Sequence, residues 1–422
     1  MPDTSPTLTP DAPSLLTSER PPVLGTSAEA LTAADAIAAL ITPGAAVRDR
    51  ERRAPLAELQ AIASSGLLAI AVPREHGGPE LPRATITEVF RRIARADSSI
   101  AQLLLTHFVV QESLRAGGPA GLAARIYADV LAGAQIGNAF SERGGRTAAD
   151  NATVAGRDEA TGRWRIDGRK YYATGALGAS WIAVGAQRDG RADHRVTLFV
   201  TPETPGLDLR LDEWSAFGQR TTFSGGVLLD GVEVDDALVA DPGPAPRVAE
   251  LPPSLWGAYD QVLHAAIDVG VARAALEDGA AFVRTAARPR PEAGVDRASD
   301  EPHVLRRFGE LSARVAALEA LLARGAATID DALALPVLTD QAAADASLAV
   351  AQAKALTQDL GVDVTSAIFE LAGTSATDEE HGLDRHWRNV RTHSLHDPAR
   401  WKYVAIGDHL LNGTLPPRDQ LI

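Results

Sequence analysis

The chain has 422 residues, 45% of them apolar, and a formal charge of −14, so it is long enough for two or three domains around a sizeable core. That acidic balance disfavours nucleic acid as a partner, because phosphate binding needs a net basic face. Cysteine is absent and the one methionine is Met1, which excludes disulfides, thiolate nucleophiles and thiolate metal sites.

Two physical accounts fit the missing sulfur: a protein made when sulfur is scarce avoids it, and a protein that handles peroxides gains by lacking oxidisable side chains. No run of about 18 apolar residues occurs, so no membrane span is expected. Residues 1–26 are rich in Pro, Thr and Ser and lack a basic region followed by an apolar one. They predict a disordered tail and a cytoplasmic protein.

Between 27 and 134 the pattern is helical. Apolar residues recur three and four apart over 30–41, 55–68, 84–96, 99–115 and 121–131, as on one face of a helix. The stretch 68–78, beginning Leu-Ala-Ile-Ala-Val, predicts an extended run into a turn. His107 lies on a helical face with Leu103, Leu104, Val110 and Gln111, where a lone histidine is most often a satisfied core residue.

The texture changes near Gln135. Short alternating or β-branched runs at 137–142, 164–172, 181–185, 196–200 and 227–234 are separated by Gly and Asp turns, predicting an antiparallel β domain over 135–243. Two polar loops, 141–147 and 173–178, offer hydroxyls and free amides suited to a planar polar ring. A Pro-rich stretch from Asp241 marks a boundary. Long periodic segments at 256–286, 303–328 and 339–372 then predict a C-terminal four-helix bundle over 244–422.

Cations, imidazoles and an aromatic are concentrated in Asp384-Arg-His-Trp-Arg-Asn-Val-Arg-Thr-His-Ser-Leu-His-Asp-Pro398. With Asp384 as a cap and Pro398 as a stop, it reads as a helix of about three turns. Arg385, Arg388 and Thr392 share a side, and His393 sits a turn from His396 and Asp397. Such a cluster suits an anionic or polarisable ligand; the alternative is a surface helix whose arginines pair with carboxylates elsewhere. Walker, HExxH, Gly-x-Ser-x-Gly and Rossmann fingerprints are all missing, and the histidines do not fall at zinc spacings.

The order helical, β, helical, the Asn138-Ala-Phe-Ser-Glu142 strand end, Asp167-Gly-Arg-Lys-Tyr-Tyr-Ala-Thr-Gly175 and the C-terminal motif together resemble one known group. It is the flavin-dependent monooxygenase branch of the acyl-CoA dehydrogenase superfamily, with its dibenzothiophene monooxygenases and sulfur-acquisition oxidoreductases. The resemblance implies an α+β, mostly α fold and a homotetramer. It implies FMN supplied reduced by a separate flavin reductase, with FAD as the alternative, and oxygenation of a small organosulfur compound through a flavin C4a-hydroperoxide. By the same resemblance Asn138 and Ser141 border the flavin ring, Tyr172 flanks it and Thr174 approaches its reactive edge. His107 and His396 lie near the reacting oxygen, and His393 joins the cofactor site. Arg288 holds the phosphate of a neighbouring subunit's flavin, helped by Thr374 and Ser375. Two departures stand out: Thr174 replaces a serine, and Ser375 an arginine. The competing readings are an acyl-CoA dehydrogenase using FAD, which needs a carboxylate base where this chain has His396-Asp397, and a flavin-dependent N-hydroxylase.

Overall fold

The computed structural model describes residues 20–147, 150–245, 252–418 and 422. Most of the tail expected over 1–26 lies outside these, but Thr26 belongs to the fold. Its hydroxyl accepts from Glu29 N–H, and the Glu29 carboxylate accepts from Thr26 N–H. This reciprocal cap starts α1 (Ser27–Ile41). Helices α2 (Ala45–Glu51), α3 (Leu56–Ser64), α4 (Arg83–Ala96), α5 (Ser98–Gly117) and α6 (Ala120–Leu131) follow. By length and apolar content Ser27–Glu51 could cross a membrane. Here a turn at Thr42–Gly44 breaks it, and Ala30, Ala34, Ile37 and Ile41 are buried in the core.

The stretch 68–78 is not extended. It makes two 3-10 turns, Leu67–Ala69 and Arg74–His76, next to Gly66 and Gly77 at φ +84° and +83°. Left-handed glycines outweigh the apolar run between them.

Among the described residues eight strands follow: β1 (Ile136–Ala139), β2 (Val154–Arg157), β3 (Arg163–Tyr171), β4 (Trp181–Arg188), β5 (Arg195–Val200), β6 (Leu207–Arg210), β7 (Gly226–Asp235) and β8 (Val239–Ala240). They pair in the order β6-β7-β3-β2-β4-β5-β8, with β1 also on β4. The sheet is not wholly antiparallel: β1 and β2 lie parallel to successive parts of β4, Ile136 opposite Trp181 and Val154 opposite Gln187. A parallel pair needs a long crossover, which here runs through the β2–β3 hairpin. Strands β2, β6 and β8 are too short to show an alternation in sequence.

In the C-terminal part, α7 (Trp256–Thr285), α8 (Pro302–Leu333) and α9 (Asp340–Ala372) are the long helices, completed by α10 (Asp384–His393) and α11 (Ala399–Asn412). Helices α7 and α9 run parallel, Asp268 meeting Lys354 and Gly279 meeting Ile368. Phe90, Phe108, Trp164, Leu198, Val227, Tyr259 and Leu263 belong to one apolar cluster, so the helices and the sheet share a core. Asp384 does not cap α10. It is the first helical residue, and its carboxylate accepts from Arg388 Nε at 2.7 Å.

The loop 214–224 is wedged between the sheet and α10. A Cβ on Gly218 would meet Arg388 O at 1.9 Å, and Gln219 N–H donates to Asn389 Oδ1 at 2.7 Å. Gly218→Ala is therefore expected to cost about 1–3 kcal/mol, as overpacking does, seen as a lower denaturation midpoint. Gly407→Ala, in α11 with nothing within 4 Å of the new methyl, should raise the midpoint slightly.

Candidate active site

The end of β1 and the loop after β3 come together. Asn138 N–H donates to Thr174 O at 3.1 Å, and Tyr171 N–H to Ser141 O at 2.9 Å. Asn138 Nδ2 donates to Thr106 Oγ1 at 2.9 Å, which leaves Asn138 Oδ1 buried with no partner. Beside it a chain of hydroxyls has a fixed direction: Thr222 Oγ1 donates to Gln219 O, and Ser224 Oγ donates to Thr222 Oγ1. Thr174 Oγ1, 2.9 Å from Ser224 Oγ and 3.4 Å from Tyr172 O, then gives its one proton to one of these two oxygens. Thr174 is left with an acceptor to offer, and Asn138 Oδ1 is an acceptor buried without a donor.

Tyr172 is 47% exposed and has φ +63°, a left-handed conformation that bulky residues rarely adopt. It packs edge-on against Tyr171 and Trp214, with ring centres 4.9 and 6.2 Å away. Lys170 anchors the polar loop from beneath, donating to Phe140 O, Glu142 Oε1 and Asn151 Oδ1. Burial lowers its ammonium pKa to about 8 against the pull of Glu142. Ser141 is exposed on that loop.

A second group gathers where α7, α9, α10 and α11 meet. His393 Nδ1 lies 2.6 Å from Asp268 Oδ1, and Lys354 Nζ donates to Asp268 Oδ2 at 2.8 Å. His264 Nδ1 lies 2.9 Å from His393 Nε2, and its ring centre is 4.1 Å from that of His396. The His396 side chain is 48% exposed, with Nδ1 at 3.2 Å from Asp397 Oδ1. Asp397 is buried and paired with Lys402. Burial opposes ionisation of Asp397, but His396, Lys354 and Lys402 outweigh it and hold the carboxyl well below the usual range.

His107 does not present a ring nitrogen to either group. It is fully buried: Nε2 is 2.8 Å from Leu68 O, and Nδ1 accepts from Ile136 N–H at 3.1 Å. Burial lowers its pKa to about 4, so the ring is neutral. It fixes the root of β1, two residues before Asn138, and is a positioning residue.

Arg288, Thr374 and Ser375 are exposed near the far ends of α7 and α9. From His264 to Thr285 the helix spans about 30 Å, so within one chain they stand apart from the imidazoles. Residue-by-residue reading missed His264, Asp260, Asp268, Lys354 and Ser224. Asp260, His264 and Asp268 share one helical face at four-residue spacing, a legible signal inside an otherwise apolar helix.

The acyl-CoA dehydrogenase N-terminal domain matches residues 29–134, and the acyl-CoA dehydrogenase C-terminal domain matches residues 262–401. The chain belongs to the acyl-CoA dehydrogenase family. Within it the chain falls in the flavin-dependent monooxygenase branch. Dibenzothiophene monooxygenase of Rhodococcus qingshengii is 30% identical over 376 residues, 87% of this chain and 90% of that protein. The probable FMNH2-dependent monooxygenase SfnC of Pseudomonas putida is 30% identical over 392 residues, 92% of this chain and 96% of its own length. The crystal structure of FMN-bound TdsC from Paenibacillus sp. A11-2 superposes with a TM-score of 0.87 at 29% identity, covering 93% of this chain and 100% of that one.

His107→Leu leaves Ile136 N–H buried without its acceptor and Leu68 C=O with only the longer bond from Gln111 Nε2 at 3.3 Å, and should cost about 1–3 kcal/mol in chemical denaturation. The folded ring titrates at about 4 instead of 6.5, so its contribution is full above pH 6.5 and is lost as pH falls through about 4. The gap between wild type and variant should close over that window.

Proposed function

We propose that the chain is the oxygenase of a two-component system: it takes reduced FMN from a separate NAD(P)H-dependent reductase and oxygenates a small organosulfur compound. The product is a sulfoxide or sulfone, or the fragments of oxidative C–S cleavage. The observation that carries this reading is the state of Asp397. A dehydrogenase needs a carboxylate free to remove a proton beside the thioester, whereas Asp397 is buried, ionised and held by Lys402. The group of that pair that reaches the surface is the His396 imidazole, a proton donor and acceptor suited to oxygen transfer.

The strand end fits a reduced flavin. Asn138 Oδ1 lacks a partner and Thr174 gives its proton to Ser224 Oγ or Tyr172 O, so both offer acceptors to a ring edge that carries N–H. Anionic reduced flavin has one more ring N–H, at N5, than oxidised flavin, and the buried orphan oxygen gains a hydrogen bond from it. When bound, reduced FMN supplies the electrons that activate O2. The chain's part is to orient the ring through Asn138 and Thr174, cover it with Tyr172 and manage protons at His396.

Arg288 has no hydrogen-bond or ion-pair partner among the described residues, and Thr374 and Ser375 add hydroxyls at the same end of the bundle. Their distance from His396 supports a homotetramer in which they hold the phosphate of a neighbouring copy's FMN. Helix α11 supports it too, exposing Trp401, Val404, Leu410 and Leu411, an apolar face that suits burial against another copy. Dependence on a cellular reductase supports a cytoplasmic location.

With a generic flavin reductase, O2 and a panel of sulfides, mass spectrometry should detect oxygenated products. Turnover of an acyl-CoA with an artificial acceptor and no O2 would instead identify a dehydrogenase. His396→Ala should uncouple the reaction, with peroxide replacing product while FMN affinity stays near wild type. Arg288→Ala should lose about 1–3 kcal/mol of FMN affinity, the scale of a charge-assisted contact, read by fluorescence titration.

A further inference from the structure

Three aspartates, two lysines and three imidazoles meet between α7, α9, α10, α11 and the turn before α11, and their charges do not cancel. Asp268 is matched by Lys354 and Asp397 by Lys402, all four buried. Asp260 is buried as well, but among the described residues it has no ion pair with a lysine. It accepts from Gln261 Nε2 at 3.2 Å and faces His264 Nε2 at 3.7 Å. With neutral imidazoles and three carboxylates, the cluster would hold one negative charge in excess. A buried unmatched charge is costly, and a proton removes it.

The hydrogen bonds say where that proton can go. Burial resists ionisation of Asp268, yet His393 and Lys354 overcome it and keep the carboxylate charged. His393 therefore donates from Nδ1, its Nε2 accepts, and His264 donates from Nδ1. This leaves His264 Nε2 bare, facing Asp260. The His264 ring in turn lies tilted by 30° against that of His396, the half-exposed ring of the group, with centres 4.1 Å apart. The charged and titratable side chains facing Asp260 and His264 are Lys354 from α9, His393 from α10, His396 and Asp397 from the turn, and Lys402 from α11.

We propose that this cluster is a one-proton store, in which Asp260 and His264 hold a single labile proton behind His396, the ring that exchanges it with the site. Its use rests on the oxygenase reading. Anionic reduced flavin, O2, a sulfide and one proton give oxidised flavin, sulfoxide and water, so each turnover draws one proton through the protein. Burial pushes the Asp260 carboxyl up to about 6, while burial and the neighbouring cations hold His264 well below its ordinary value. In the flavin-free protein the proton thus rests on Asp260 and fills the store as pH falls through about 6.

Carbon-13 labelling of aspartate in the flavin-free protein tests this without a variant. One buried carboxyl should titrate near pH 6 while Asp268 and Asp397 stay ionised far below it; three carboxylates all ionised at pH 5 would overturn the store. Asp260→Asn should abolish that titration; a buried carboxyl that still titrates near pH 6 in the variant would also overturn it. In turnover, Asp260→Asn should move the acid limb of the product-to-peroxide ratio while FMN affinity holds. If no sulfide is oxidised at any pH, the oxygenase reading fails on its own, and the aspartate titration still decides the store.

Discussion

Asp268 is the interaction on which the helical part of the site depends. One fully buried carboxylate accepts from Lys354 on α9 and from His393 on α10 while standing on α7, so three helices are tied at one point. Burying such a charge is tolerated only because both of its oxygens are occupied, and removing one partner of a buried pair typically costs about 3–5 kcal/mol. The same contact sets the tautomer of His393, and through it that of His264. Structural anchoring and protonation control are one device here.

The strand end obeys a similar logic with neutral groups. Hydroxyls of Thr222 and Ser224 pass their protons in one direction toward Gln219 O, so Thr174 receives none from Ser224 and gives its own to Ser224 Oγ or Tyr172 O. The loop that carries them docks on α10 through Asn389. It therefore couples the sheet to the helix that bears the imidazoles. Left-handed Tyr172, Gln219 and Phe223 sit along this join. Each costs conformational energy that only surrounding contacts can offset, and the strain is concentrated along this join.

The two groups differ in electrostatics. Acceptors gathered at Asn138 and Thr174 favour a ligand edge rich in N–H, while the lysine-matched aspartates behind His396 hold the local charge near zero. A bound anion beside His396 meets no net repulsion once the Asp260 proton is in place. Within the acyl-CoA dehydrogenase family this separates oxygen chemistry, which needs protons managed, from dehydrogenation, which needs a bare carboxylate. The absence of cysteine and of internal methionine is compatible with both a peroxide-exposed interior and sparing use of sulfur.

Much of the architecture was already written in the chain. The three- and four-residue spacing of apolar positions set α1, α4, α5, α7, α8 and α9 to within a few residues, because a helix must bury one stripe. The density of cations and imidazoles in 384–398 was visible as a cluster in the sequence, and family resemblance supplied the flavin. Tertiary structure decided the rest. Whether His107 faces a ligand or Leu68 O, whether Asn138 keeps an oxygen free, which lysine answers which aspartate, and that Arg288 stands about 30 Å along a helix from His264 all depend on segments remote in sequence. Periodicity records which face of an element is buried; it carries no information about which polar group, tens to hundreds of residues away, will be waiting there.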